Sequence, residues 1–152
     1  MAGYFFDSSA LVKLYHEELG TPVADQIASA QGSQIRISRL TPVELTSAFA
    51  IKVRTHAVSQ DDAKQFLRQF REDIVAGKLE IFAVTESEYV MAELLVERYA
   101  LDLRLRALDA LQLAVALALR SQELVDHFVA ADRVLCEIAN LEGFSVIDPE
   151  MS

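Results

Sequence analysis

Four carboxylates in this chain stand where their neighbours make a charge costly. Tyr4-Phe5-Phe6-Asp7 and Phe128-Val129-Ala130-Ala131-Asp132 are apolar, strand-like runs that end in an aspartate and pass directly into a helical pattern. A charged side chain at the carboxyl end of a buried strand lies where open α/β sheets keep their chemistry. Asp109 interrupts a helical run, 107–119, in which Gln112 is the only other polar residue. Those two are three apart and share a helix face. A helix apolar on nearly all sides is buried, so its carboxylate needs a cation or a full set of donors. Glu44, near the start of another helix, is the fourth acid. Mg²⁺ and Mn²⁺ prefer hard oxygen ligands, and carboxylates that converge repel one another in a way a cation relieves. Such an ion acidifies water and stabilises charge on a phosphodiester under in-line attack. Asp7, Glu44, Asp109 and Asp132 are therefore the candidate metal ligands and catalytic residues.

Each acid also has a purely structural role open to it. Aspartate favours N-caps at strand-to-helix turns, which would account for Asp7 or Asp132 singly. Asp109 can pair with Arg106, three residues earlier. Thr41-Pro42-Val43-Glu44 has the spacing of a capping box, with Thr41 as N-cap and Pro42 in the first turn. Capping explains any one of these acids better than it explains the set.

The elements that must position them can be read from periodicity. Apolar runs predict strands at about 4–6, 34–38, 80–83, 127–130 and 144–147. Helical patterns cover 9–16, 22–30, 41–56, 60–76, 86–99, 104–121 and 133–141, the fourth carrying Phe66, Leu67, Phe70 and Ile74 on one stripe. Strands separated by helices imply an α/β fold, three layers with a central, mostly parallel five-stranded sheet. The 152 residues suit one domain, 1–152, and leave no room for two.

Composition narrows the function. With 14 basic and 23 acidic residues the net charge is −9, which disfavours a general nucleic-acid binder. Bound cations invert that local field, however, and Lys13, Arg104, Arg106 and Arg133 fall near the four acids, so one weak local phosphate site remains open. The longest apolar stretch, Leu113 to Leu119, is far short of the ~20 residues of a membrane helix, and Asp7 spoils a signal peptide. A single cysteine, Cys136, excludes an internal disulfide and fits a reducing cytoplasm; it reads as core packing. The glycines form no phosphate loop, no serine sits in a nucleophile elbow, and His16, His56 and His127 lack ligand spacing. Tyr15, Phe49, Phe66 and Phe70 read as core or partner contacts.

Four segments resemble PIN-domain proteins of the VapC toxin type. These are Tyr4 to Tyr15 with Glu18 and Gly20-Thr21, then Thr41 to Ala48, then Leu105 to Ala114, and last Phe128 to Leu135 continuing through Gly143 to Pro149. The resemblance implies a PIN fold and a Mg²⁺- or Mn²⁺-dependent endoribonuclease acting on RNA. It also implies a homodimer and a small cognate antitoxin that blocks the active site. Asp7, Glu44 and Asp109 match the family's metal-binding and catalytic places, Asp132 its more variable fourth place, and Ser8 the hydroxyl beside the first aspartate. Ala130 departs from the pattern, standing where many members carry Thr or Ser, and its missing hydroxyl bears on the positioning of Asp132. That departure alone favours the rival reading, a non-catalytic PIN-like module that binds RNA or protein. A phosphoacceptor role for Asp7 ranks last. The haloacid-dehalogenase pattern wants an acid where Ser9 stands, and a receiver domain wants one where Val84-Thr85 is found.

Overall fold

The computed structural model describes residues 2–151. Five strands, β1 (Gly3–Phe6), β2 (Gln34–Ser38), β3 (Leu79–Phe82), β4 (His127–Val129) and β5 (Ser145–Ile147), form one sheet in the order β3-β2-β1-β4-β5. All four pairings are parallel, which sharpens the expectation of a mostly parallel sheet. The helices are α1 (Ser8–Leu11), α2 (Thr21–Ser29), α3 (Thr41–Arg54), α4 (Gln60–Val75), α5 (Glu86–Tyr99), α6 (Ala107–Ser121) and α7 (Arg133–Leu141).

Adjacent residues of the central strand divide the core in two. Phe5 faces a cluster built with Leu95, Leu113, Leu135 and Ile138 of α5, α6 and α7. Phe6 faces the other, with Leu11, Ile27, Leu45, Phe49 and Phe70 of α1 to α4. The period-2 alternation of a strand thus feeds both outer layers, as a parallel sheet buried on both faces requires. Chain order runs outward from β1 through β2 to β3, then returns to β4 on the other side of β1. The crevice of such a sheet opens where the strand order reverses, at the carboxyl ends of β1 and β4. Asp7 and Asp132 follow those two strands.

Three helices depart from their predicted extent by two residues or more, the sixth by starting at Ala107, after an extended Arg106, where 104 was expected. The pattern over 9–16 gives only one α turn, α1, and then a 3₁₀ turn, Val12–Leu14. The Thr21 hydroxyl donates to the Lys13 carbonyl at 2.9 Å, a contact made across the chain that draws this backbone out of the helical ladder. The third helix stops at Arg54, and His56 lies beyond it at φ 64°, where a helical hydrogen bond is no longer possible.

One close approach fixes the start of β1. A Cβ on Gly3 would meet the Leu124 carbonyl oxygen at 2.0 Å, and the Gly3 amide donates to Asp126 Oδ2 at 2.8 Å. The obstacle is backbone, so a side chain here must push β1 away from the segment entering β4. Gly3→Ala is expected to destabilise the chain by roughly 1–3 kcal/mol, the usual cost of overpacking, and thermal denaturation will show it as a Tm several degrees lower.

Candidate active site

Asp7 is set by the end of β1. Its amide still donates to Val129 O at 2.9 Å, so the residue rides on the pairing of β1 with β4. Its side chain caps α1, accepting from the Ser9 amide at 3.2 Å and the Ser9 hydroxyl at 2.7 Å, both on Oδ2. Ser9 Oγ in turn accepts from the Ala131 amide at 3.0 Å, joining the β1 and β4 ends through one hydroxyl. Asp7 is only 4% exposed. Burial pushes its carboxyl up to about 6, the Glu44 charge adds to this, and the Ser9 bonds oppose it.

Glu44 does not take the capping role its spacing suggested. The N-cap of α3 is Leu40, with helical φ and ψ and no side-chain bond, so the Thr41–Glu44 box does not form. That box forms instead at Thr85 and Glu88. Glu44 Oε1 accepts from the Ser8 hydroxyl at 2.9 Å and from Gln112 Nε2 at 2.5 Å. Ser8 therefore supports the second acid, and its neighbour Ser9 supports the first. Thr41 is fully buried, and its hydroxyl lies 3.2 Å from the same Gln112 nitrogen.

Asp109 and Asp132 share a counter-charge. Asp132 caps α7, accepting from the Leu135 amide on Oδ1 at 3.0 Å. Arg106, the N-cap residue of α6, reaches Asp109 Oδ2 with Nε at 3.5 Å and Asp132 Oδ2 with Nη2 at 3.6 Å. Its side chain is 64% exposed, so both pairings are loose and screened. Burial raises the Asp109 carboxyl to about 6, the charges of Asp7 and Asp132 push the same way, and Arg106 opposes them. Asp109 thus feels two of the other acids, and Asp7 feels the third.

The donor set fits a hard divalent cation. In Asp7, Glu44 and Asp132 the hydrogen bonds of the described residues fall on one carboxylate oxygen; the other is left for a further partner in Asp7 and Glu44 and is only loosely paired with Arg106 in Asp132. Carboxylates whose protons are held by burial and mutual repulsion gain most from a positive charge among them. Among the described residues, no three His, Cys, Asp or Glu side chains are gathered tightly enough to hold an ion as they stand.

Other expectations resolve around this centre. Lys13 is not a free phosphate ligand: it is buried and paired with Glu150 at 2.7 Å and Glu18 at 3.0 Å. Burial alone would lower its pKa, but those two acids outweigh it and raise it. Cys136 packs against the α5–α7 cluster and donates to Ala130 O at 3.2 Å; burial pushes its thiol up to about 12, so it is no nucleophile. Tyr15, Phe49, Phe66 and Phe70 pack against one another within the α1–α4 layer. Ala130 is fully buried, its amide donating to Ile147 O at 3.1 Å. The hydroxyl that steadies this loop comes from Ser9 instead. Ser9, Ser38 and Gln112 were not among the expected site residues, although Gln112 stood out as the second polar residue in an apolar run.

The raised carboxyls make folding depend on pH with a definite sign. A carboxyl at about 6 in the fold and 3.8 outside it binds more protons folded than unfolded between those values, so stability falls as pH rises through that window. Without divalent ions, Tm is expected to rise as pH is lowered from 7 towards 5. Asp109→Asn removes one such charge and should raise Tm at pH 7 by a few degrees, on the order of 1 kcal/mol after allowance for screening. Mn²⁺ should raise the wild-type Tm and not that of the variant. A Tm that falls on acidification, or one that Asp109→Asn lowers, would contradict this electrostatic account.

Comparison with known proteins agrees with this architecture. Sequence comparison with curated proteins finds no relative. Among solved structures, a toxin–antitoxin complex from Klebsiella pneumoniae is 20% identical, with 97% of this chain and 98% of that one covered and a TM-score of 0.63. VapC20 from Mycobacterium tuberculosis, described as a sarcin–ricin loop cleaving toxin, is 16% identical over 93% of this chain and 96% of its own, with a TM-score of 0.67. FitAcB from Neisseria gonorrhoeae is 15% identical over 98% and 99%, with a TM-score of 0.65. At such identities these likenesses establish the fold, a three-layer α/β/α sandwich shared along the whole chain. The family model for the PIN domain matches residues 4–141, a span that holds all four acids, and the chain belongs to the PIN-domain family.

Proposed function

We propose that this chain is an endoribonuclease that hydrolyses RNA phosphodiester bonds, with Mg²⁺ or Mn²⁺ held by Asp7, Glu44, Asp109 and Asp132. The observation that carries the reading is the shared posture of the acids. Three of them are tied through one oxygen by the protein's own donors, and Asp109 faces two of its neighbours across the same edge. A bound ion would stabilise charge developing on the phosphodiester and acidify the attacking water. The chain's own residues fix the geometry. Ser9 holds Asp7, Ser8 and Gln112 hold Glu44, and the α7 amide end holds Asp132. Arg106 balances Asp109 and Asp132, and its mostly exposed guanidinium is free to turn to a substrate phosphate.

Membership of the PIN-domain family supports a nuclease, and the net charge of −9 limits phosphate contacts to this local edge. The same reading gives the protein a small antitoxin partner that closes the site, a homodimeric state and a cytoplasmic location. Tyr89, Val90, Met91 and Leu94 of α5, with Leu101 and Leu108, expose apolar surface suited to such partners. No helix of the described residues is long and apolar enough to cross a membrane. The binding-only alternative rested on Ala130, and the loop beside Ala130 takes its hydroxyl bond from Ser9.

The deciding experiment incubates purified protein with a labelled total-RNA pool in Mn²⁺, in Mg²⁺ and in EDTA, alongside Asp109→Asn. Ion-dependent cleavage is expected, lost by roughly 100-fold or more in the variant, the upper range for disturbing a metal centre, with an unchanged circular-dichroism spectrum. A well-folded wild type that leaves every RNA intact in both ions would favour the binding-only module.

A further inference from the structure

Gln112 sits at a junction of four separate segments. It is fully buried on α6, one turn after Asp109. Its Oε1 accepts from the Ser38 hydroxyl, at the end of β2, at 2.7 Å. Its Nε2 lies 2.5 Å from Glu44 Oε1, 3.2 Å from Thr41 Oγ1 and 3.3 Å from Ser8 Oγ. Ser38 Oγ accepts the Leu40 amide at 3.1 Å and donates its own proton to the amide oxygen. The Glu44 carboxylate, which can only accept, settles which way the amide faces. The nitrogen end must meet Glu44, and a flip would set two acceptors against each other.

We infer that Gln112 is a positioning residue: its amide, supported by Ser38, holds Glu44 at a fixed place relative to Asp109 on the same helix and so sets the ion site. The inference rests on the nuclease reading and deepens it. Hydrogen-bond partners of metal-binding carboxylates typically change ion affinity 10–100-fold when removed. Gln112→Met keeps the length and volume of the side chain and deletes both hydrogen-bonding ends.

The test measures Mn²⁺ affinity by calorimetry without RNA, and RNA cleavage separately, for wild type, Gln112→Met, Ser38→Ala, Glu44→Gln and the Gln112→Met/Glu44→Gln double variant. Gln112→Met is expected to fold and to bind Mn²⁺ about 10–100-fold more weakly. Ser38→Ala should weaken binding in the same direction by a smaller factor. In the Glu44→Gln background, Gln112→Met should change affinity by less than about 2-fold, because it acts through Glu44. Wild-type affinity in Gln112→Met, or effects that multiply in the double variant, overturns the inference alone. Should Gln112→Met fail to fold, Ser38→Ala decides, and unchanged Mn²⁺ affinity there overturns it. A wild type that neither binds Mn²⁺ nor cleaves overturns the inference together with the nuclease reading.

Discussion

The desolvation of carboxylates at one sheet edge, with their mutual repulsion added, is the constraint on which this fold turns. Asp7 and Asp109 have their carboxyls raised to about 6, chiefly by burial, with the Glu44 charge adding at Asp7 and the Asp7 and Asp132 charges adding at Asp109. Holding such groups at one sheet edge costs free energy that must be offset elsewhere. The offset comes from the two apolar layers, in which Phe5, Phe6, Phe128, Leu113 and Ile138 are wholly buried. It also comes from hydrogen-bond donors that satisfy one oxygen each of Asp7, Glu44 and Asp132. The acids are anchored to four different elements, and only the packing of those elements brings them to one edge. The arrangement of the acids is therefore a property of tertiary packing and not of any one motif.

Much of this was legible in the chain itself. Strand positions came within a residue or two because a buried parallel strand shows either a continuous apolar run, as in Tyr4 to Phe6, or strict alternation, as Ile35 and Ile37 give in Gln34 to Ser38. Asp7 and Asp132 were visible because an ionisable residue ending such a run is conspicuous, and both prove to be N-caps as well. Capping does not conflict with the proposed metal-binding role, because it occupies a single carboxylate oxygen.

What the chain hid was long-range. The capping box at Thr41 and Glu44 was a sound local inference that lost to partners 36 and 68 residues away, Ser8 and Gln112. The first helix read too long because the Thr21 bond to Lys13 has no signature in periodicity. Ser8 and Ser9 are adjacent and chemically alike, so no pattern could tell which supports Asp7. Gln112 was visible as an anomaly, but its meaning depended on Ser38, Thr41, Glu44 and Ser8 arriving from separate segments. Local propensity specified the elements, and the polar junction between them was written only in three dimensions.

The Ser9 bridge carries a consequence for biosynthesis. Ser9 emerges among the first residues of the chain, yet its hydroxyl waits for the amide of Ala131, 122 positions later. Lys13 waits longer still, for Glu150. Asp132 and the helix it caps are likewise made after the other three acids. A nascent chain that has reached Gln112 already holds Asp7 through Ser9 and Glu44 through Ser8 and Gln112. It still lacks the tie between the ends of β1 and β4, so the acidic edge is drawn together only once β4 and α7 have followed.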